Sequence, residues 1–558
     1  MNTVSVAENG FDIADSEGLY SVVAGAAQSH PTRLSLAGAD GTQLNCQQVD
    51  RRVRALASAL LAHGVRAGDR VAVLGRTGLE WALLDCAVLA LGAVVVPVYP
   101  TSSPAQIAHI VADSGSAHFA AETEADAERL RAAGARQVWT FPLLAEWSLL
   151  AEDPALAPMI AAVRADDPAM IVYTSGTTGV SKGCVITHRN MYVSAANTVR
   201  RTDPLFDGTT VLALPLAHVF GQTILFACLF GGSRTHLLPA IPDLVPALPT
   251  LRPTFLAMIP YGLEKIRKYC RTVLAEPGEE DAAVARGLEL LRAGAVPGPV
   301  THPVSEALGG RLRAVISGGA SLDESTIGFY AGFGVLVLNC YGLTEAATAV
   351  TVNAPHIHRL GTVGRPIPGT EVAVAEDGEV LVRGPHVSPG YWGAAADVVM
   401  ADAEGWLHTG DLGALDADGY LRITGRKKEI LVTSGGKNVA PAPLEDRIRL
   451  HPLVSNCMVV GDGRDFVTAL VTLDADQLRR HRAADPGLDV EAAVATAIEA
   501  ANALVSRAES VRAFRIVDGD FTVESGLITS SRKLRRAAIE KAYAADIAAL
   551  YAPRTVAR

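Results

Sequence analysis

Hydrophobic residues recur at helical spacing over 51–63, up to Gly64, and then give way to an unbroken apolar run at 70–74, RVAVL. A second helical pattern over 78–91 precedes the β-branched run AVVVPV at 93–98. Strand, helix and strand in units of about 25 residues imply right-handed crossovers and a largely parallel sheet covered on both faces. The layout recurs with a strand at 169–173 and a helix at 190–199, and again with a strand at 312–317 and a helix at 321–331. Over 370–425 the texture changes to Gly and Asp-Gly turns between short alternating strands, which predicts hairpins instead of crossovers. Past Gly425 come a charged RKKE, a Gly-Gly turn and an α+β segment, with a helix at 443–450 and strands at 454–460 and 466–473. The pattern predicts a domain boundary at 425–428 with about 130 residues beyond it. No internal repeat or low-complexity tract stands out.

Two apolar stretches are tested against a membrane span. Residues 86–100 lack charge, but a span needs about 20 residues, and Gly92, Pro97 and Pro100 interrupt the run. Residues 211–232 are long enough, yet carry Pro215, His218, Gln222 and a terminal Gly-Gly. Both read as buried helix and strand. The first twenty residues have acids where a signal peptide needs a basic start and an apolar run, so no export address is read there.

Composition narrows the class. With 49% hydrophobic and 19% charged residues the chain is not disordered, and its 558 residues suggest roughly three to four folding units. The net charge is −10, from 49 Lys plus Arg against 59 Asp plus Glu, so nothing predisposes the chain to nucleic acid. The cysteines, at 46, 86, 184, 228, 270, 340 and 457, are odd in number, scattered, and form no C-x-x-C pair. They read as reduced thiols in a cytoplasm, not as a disulfide frame or zinc site.

Three segments carry chemistry. In Tyr173-Thr-Ser-Gly-Thr-Thr-Gly-Val-Ser-Lys182-Gly183, glycines turn backbone N–H groups toward a polyanion, hydroxyls add donors and one lysine supplies charge, which is what holding a triphosphate demands. It is not a Walker loop, since Ser181 precedes Lys182 and Gly183 follows it. In Asn339-Cys-Tyr341-Gly-Leu-Thr344-Glu345, Thr344 can donate to a phosphate oxygen, Glu345 can hold a hard cation such as Mg²⁺, and Tyr341 offers a ring for a base. The same residues also suit an ordinary strand end. In the segment 405–429, GWLHTGD followed by DGYLRITGRKKE, Asp411 can accept from both ribose hydroxyls with Arg426 as a second anchor. Taken singly, Asp411 is more often a turn-former.

Together with SGGA at 317–320, GRKKEILVTSGGKNVAP and the late Lys533, these motifs resemble the adenylate-forming superfamily of acyl-CoA synthetases, nonribosomal adenylation domains and luciferases, over about residues 40–540. LPLAHVFG, RPTFLAMIP, ILVTSGGKNVAPAPLED and FTVESGLIT look most like bacterial long-chain fatty acyl-CoA synthetases. The resemblance implies an α/β fold. A large N-terminal domain, 1–425, would hold stacked mixed sheets with helices plus a small β-barrel; a hinge at 426–430 would join it to a small mobile α+β lid, 431–558. It implies ATP, Mg²⁺ and coenzyme A, with a carboxylate activated as an acyl adenylate and then passed to a thiol. Carried over residue by residue, Thr174, Ser175, Gly176, Thr177, Thr178 and Lys182 hold the β and γ phosphates, Thr344 the α phosphate, and Glu345 the Mg²⁺. Gly319, Ala320, Tyr341 and Gly342 border adenine, Asp411 and Arg426 bind ribose, and His218 gates the acyl pocket. Lys533 bridges carboxylate and α phosphate. Lys428 is the hinge residue, and Ser434, Gly435 and Gly436 line the thiol channel.

By itself His218 reads as a satisfied core histidine, Cys184 as packing, and Arg532, Arg535 and Arg536 as surface charge. Two features depart from the family. Residues 264–308 form a shorter segment than the helical insertion of long-chain members, and ITSSRKLRR stands where TPTLK or TPSLK is common. The reading is an acyl-CoA synthetase for a medium- to long-chain fatty acid, a monomer or homodimer with no transmembrane segment. The rivals are an aryl or polyketide acid ligase, a ligase loading an acyl carrier protein, a nitrite-activating diazotase acting on an aryl amine, and, outside the enzymes, a nucleotide-binding sensor.

Overall fold

A computed structural model describes residues 2–5, 9–174, 181–276, 278–529 and 532–552. Contacts divide the chain into two units: Met1–Ala320, Glu324–Thr409 and Ala414–Arg422 make the first, and Ser321–Asp323, Gly410–Gly413 and Ile423–Arg558 the second.

The first unit is built on sheets, and their strands at 70–74, 94–98, 168–174 and 314–317 fall on the apolar runs of the sequence. Arg70–Leu74 and Val94–Val98 pair in parallel, flanked by His118–Ala121 and Trp139–Thr140 on one side and by Pro168–Thr174 on the other. Their side chains are buried on both faces, as a sheet covered by crossover helices requires. Helix Cys46–Ala62 starts on Asn45, whose side chain accepts from the Gln48 N–H while Gln48 answers to Asn45 N, a reciprocal cap. The uncharged stretch at 86–100 is the end of helix Leu79–Ala90 and the strand Val94–Val98, broken at Gly92. The stretch at 211–232 is the strand Thr209–Leu212 and the helix Val219–Gly231, buried on every side from Val219 to Leu229. No helix among the described residues is long and apolar enough to cross a membrane.

One crossover is not what the periodicity predicts. Between the strand at 168–174 and the helix His188–Thr202 lies a further strand, Lys182–Thr187, antiparallel to the first, with Thr174 opposite Lys182. The glycine-rich loop therefore closes a hairpin. A second sheet orders Phe255–Met258, Ala314–Ser317 and Leu336–Leu343 in parallel, then turns antiparallel at Thr348–Val352 and Arg365–Pro366. The hairpin texture at 370–425 is a five-stranded sheet of Asn2–Ser5, Glu371–Val374, Glu379–Arg383, Leu407–Leu415 and Leu421–Arg426, an open half-barrel in place of a closed one.

In the second unit, strands Val454–Val460 and Thr468–Leu473 pair antiparallel and Phe514–Ile516 joins in parallel. Alternation sorts their side chains. Cys457, Val459, Ala469 and Val471 face one core with Leu444, Ile448 and Val494; Met458, Val460 and Leu470 face another with Phe521 and Ile539. Helix Pro441–Arg449 begins two residues before its predicted start because proline is suited to the first turn. All the cysteines are unpaired; Cys340 is half-buried and the others buried. Burial pushes the thiols of Cys86, Cys184, Cys228, Cys270, Cys340 and Cys457 up.

Two buried histidines set an acid limit on the first unit. His188 Nδ1 accepts from Leu19 N at 3.1 Å while its Nε2 has no partner, and neither ring nitrogen of His386 has one. Burial lowers both to about 4. Unfolded, they return to an ordinary value near ~6.5, so between ~6.5 and ~4 the unfolded chain binds more protons and stability is lost as pH is lowered. The loss by pH ~4 is on the order of 3 kcal/mol for each histidine. Urea unfolding at pH 7 and at pH 4.5 is expected to register it, and His386→Leu to flatten the slope; an unchanged slope in that variant would contradict the assignment.

Candidate active site

The two strands of the hairpin hold the glycine-rich loop by its ends. Thr174 closes one strand and Lys182 opens the other. Ser175, Gly176, Thr177 and Thr178 lie outside the described residues. The loop's exit is tied to helix Pro104–Ser114, where His109 Nε2 lies 2.8 Å from Ser181 O, and the Tyr173 hydroxyl donates to Asp113 Oδ2 at 2.7 Å.

The outer edge of strand Lys182–Thr187 is covered by residues 388–392: Val185 N donates to Gly390 O at 3.0 Å and Trp392 N to Gly183 O at 2.7 Å. This segment sets Tyr391 beside Lys182, whose Nζ stands 5.2 Å from the ring centroid. The Tyr391 hydroxyl donates to Glu345 Oε1 at 2.9 Å. Burial, and after it the Glu345 carboxylate, push the phenol up, so the hydroxyl stays protonated and keeps donating. Cys184 Sγ reaches Thr344 O at 3.7 Å, and Ser388 N donates to Glu345 O at 2.8 Å. Lys182 and the neighbours Thr344 and Glu345, about 160 residues further along the chain, are thus gathered around one strand. Tyr391, which joins them, was missed by sequence reasoning; its only signal is an aromatic pair, Tyr391-Trp392, between turn glycines.

Ser317 pairs with Asn339 in parallel register, so the turn Gly318–Ala320 and the residues Cys340 and Tyr341 emerge side by side from adjacent strands. Gly319 adopts φ +89°. Gly342 has a steric reason to be glycine, since a Cβ there would lie 1.3 Å from Thr348 O. His218 is half-buried and caps helix Val219–Gly231, its Nδ1 accepting from Phe220 N at 3.0 Å. That bond leaves the ring proton on Nε2. The loop before it is pinned by Thr77 Oγ1 to Leu214 O at 2.6 Å and by Gln222 Nε2 to Leu216 O at 2.8 Å and Asp85 Oδ2 at 2.7 Å. Asp85 is fully buried, which raises it to about 8.

The second unit carries the remaining candidates. Arg426 Nε meets Asp411 Oδ1 at 3.1 Å, with Asp411 the more buried partner. Lys428 is exposed in the turn after Arg426, where Glu429 N donates to Arg426 O at 2.8 Å. Ser434, Gly435 and Gly436 form an exposed tip in which Ser434 Oγ donates to Asp465 Oδ1 at 2.6 Å. Lys533 is exposed, its N–H donating to Thr529 Oγ1 at 3.0 Å and its carbonyl accepting from Thr529 N at 2.8 Å. Arg532 and Arg535 are exposed, as surface charge should be, but Arg536 is not surface charge. It forms a two-pronged ion pair with Glu445 at 2.7 and 2.9 Å, and Glu445 also accepts from Val459 N at 2.7 Å. Losing one partner of such a pair costs about 3–5 kcal/mol.

Mg²⁺ takes one or two carboxylates and completes its shell with water and substrate phosphates. Glu345, oriented by Tyr391, fits that requirement. Among the described residues no three His, Cys, Asp or Glu gather into a cage.

The chain is similar to known proteins over most of its length. Residues 23–392 match the AMP-binding enzyme family and residues 428–555 the AMP-binding enzyme C-terminal domain. The chain is 38% identical to the long-chain-fatty-acid–CoA ligase FadD15 of Mycobacterium bovis, over 91% of this chain and 92% of that one. It is 30% identical to a feruloyl-CoA synthase of Amycolatopsis, over 75% and 81%. The o-succinylbenzoate CoA synthetase of Bacillus subtilis, solved with its acyl-adenylate intermediate, superposes with a TM-score of 0.73 at 21% identity, over 94% of this chain and 98% of that one, and shares the fold.

Because Tyr391 both orients Glu345 and faces Lys182, Tyr391→Phe is expected to weaken Mg·ATP binding about tenfold, through the lost charge-assisted hydrogen bond, with a larger loss at low Mg²⁺. Calorimetric titration at two Mg²⁺ concentrations reads this; binding equal to wild type at both would remove Tyr391 from the site.

Proposed function

The chain belongs to the AMP-binding enzyme family, and on that premise we propose that it activates a medium- to long-chain fatty acid as its acyl adenylate and transfers the acyl group to coenzyme A. What carries the substrate class is the likeness, across nearly the whole chain, to a long-chain-fatty-acid–CoA ligase.

In the first step a carboxylate oxygen attacks the α phosphorus, the bond from that phosphorus to the pyrophosphate oxygen breaks, and acyl-AMP remains. Lys182 and the hydroxyls and amides of 174–178 hold the β and γ phosphates, and Thr344 donates to the α phosphate. Such chemistry is largely positioning and neutralisation of developing charge. Mg²⁺, when bound, would neutralise phosphate oxygens, with Glu345 as its protein ligand. Asp411 accepts from the ribose hydroxyls, and its ion pair with Arg426 keeps the carboxylate aimed. Gly319, Ala320, Tyr341 and Gly342 border the adenine. His218, fixed by its cap bond, stands at the acyl pocket.

Lys533 supplies the last positive charge, bridging the attacking carboxylate and the α phosphate, and its arrival excludes water from a hydrolysable adenylate. In the second step residues 431–558 rotate about Lys428 within the hinge 426–430, Lys533 withdraws, and Ser434, Gly435 and Gly436 line the approach of the thiol. Its sulfur attacks the acyl carbon, the bond to AMP breaks, and the thiol proton leaves to solvent. A hinge residue absorbs such a change in φ and ψ most easily in a short exposed turn, which is where Lys428 lies. The acceptor on this reading is coenzyme A, and unpaired cysteines throughout the chain suit a cytoplasmic enzyme.

ATP–pyrophosphate exchange with a series of fatty acids, ferulate and nitrite tests the reading. Exchange is expected with the fatty acids; exchange confined to ferulate or nitrite would overturn the substrate class. Lys533→Ala should lower exchange about a hundredfold or more while thioester formation from preformed acyl-AMP stays within about threefold of wild type. Equal loss of both steps would contradict the withdrawal of Lys533.

A further inference from the structure

Immediately after the Thr344–Ala346 turn, two residues hold backbone conformations that side chains resist: Ala347 at φ +44° and Thr348 at φ +90°. For a β-branched threonine the second is a true outlier. Residues of this kind persist only where their surroundings over-determine them, and they cluster at functional sites. Two surroundings do so here. The Thr348 carbonyl occupies the space a side chain at Gly342 would need, where the pairing register shifts between Tyr341 and Gly342. On the other side, the Thr223 hydroxyl donates to Thr348 Oγ1 at 2.9 Å.

Thr223 is 1% exposed and sits on helix Val219–Gly231, just over a turn past the His218 cap. The same hydroxyl has Val219 O at 3.0 Å, the acceptor any helical threonine can use, and Ala347 O at 3.3 Å. Its position between that in-helix carbonyl and the two strained residues joins the helix to the end of the Thr344–Glu345 turn.

We infer that Thr223 is a positioning residue for nucleotide binding: its hydroxyl holds Ala347 and Thr348 in their strained conformation and thereby fixes Thr344 and Glu345. The inference rests on the reading of those two residues as phosphate and Mg²⁺ contacts. It also makes the His218 helix and the Glu345 turn a single rigid piece, so a shift at the helix is felt at the phosphates.

The full-length protein is titrated with Mg·ATP, without any carboxylate, as wild type, Thr223→Val, Thr223→Ser, Thr348→Gly and the Thr223→Val/Thr348→Gly pair. Thr223→Val keeps the branched shape and loses the hydroxyl, and is expected to weaken Mg·ATP binding about tenfold, while Thr223→Ser stays within about twofold. Glycine takes φ +90° without strain, so Thr348→Gly stays within about threefold of wild type and the pair binds like Thr348→Gly alone. Wild-type binding in Thr223→Val, or a loss in the pair as large as in Thr223→Val, overturns the inference. If Thr223→Val does not fold, the pair decides: a folded pair that binds Mg·ATP supports the inference, and an unfolded pair sinks it. Glu345→Gln separates this from the site reading. Should that variant bind Mg·ATP like wild type, the site reading fails, and Thr223 is judged by amide hydrogen exchange over 342–348, which Thr223→Val must accelerate.

Discussion

Backbone hydrogen bonds along the outer edge of strand Lys182–Thr187 are the constraint on which the nucleotide side of the first unit depends. A strand at the end of a sheet presents unpaired N–H and C=O groups that must be satisfied somehow. Here residues 388–392 satisfy them, and Ser388 Oγ adds a bond to Val185 O at 2.6 Å. Asn190, on the helix that follows the strand, donates to Pro385 O at 2.9 Å and Val387 O at 3.0 Å and holds the same segment from its other end. The covering segment brings Tyr391, Tyr391 orders Glu345, and Lys182 starts the strand that is covered. The chemistry is thus a by-product of finishing a sheet edge.

Charge is handled locally. The chain is net negative, yet its proposed substrates are anions, so long-range attraction gives no help and positive groups must sit at the point of use. Lys182 is exposed and rests against an aromatic face, which costs it little hydration. Arg426 is engaged with Asp411, so it acts by fixing a carboxylate. Arg536 is neutralised by Glu445 and lends structure to the helix Arg536–Ala542, immediately after Lys533. Cations adjacent in sequence or function therefore divide into those proposed to meet substrate and those that hold the frame.

Much of this was legible in the residues, for reasons that differ by element. Arg70–Leu74 and Val454–Val460 were found at their observed bounds because each is an apolar run ended by turn residues. Lys182–Thr187 was not found, because it follows a glycine-rich loop and its first residues, Lys and Gly, carry no strand preference; its pairing with Thr174 decides the matter. The burial of Arg536 was invisible, since RKLRR reads as a solvated helix start and only the fold brings Glu445 to it. Tyr391 and Thr223 share that character. Each acts through a partner more than forty residues away, and no periodicity records such a contact.

The buried cysteines have a consequence of their own. The proposed co-substrate is a thiol, and thiol–disulfide exchange requires an accessible thiolate. With every cysteine shielded or half-shielded and six of the thiols pushed up by burial, oxidised forms of that co-substrate meet no attacking sulfur on the protein. The enzyme is not drawn into mixed disulfides with the pool it serves.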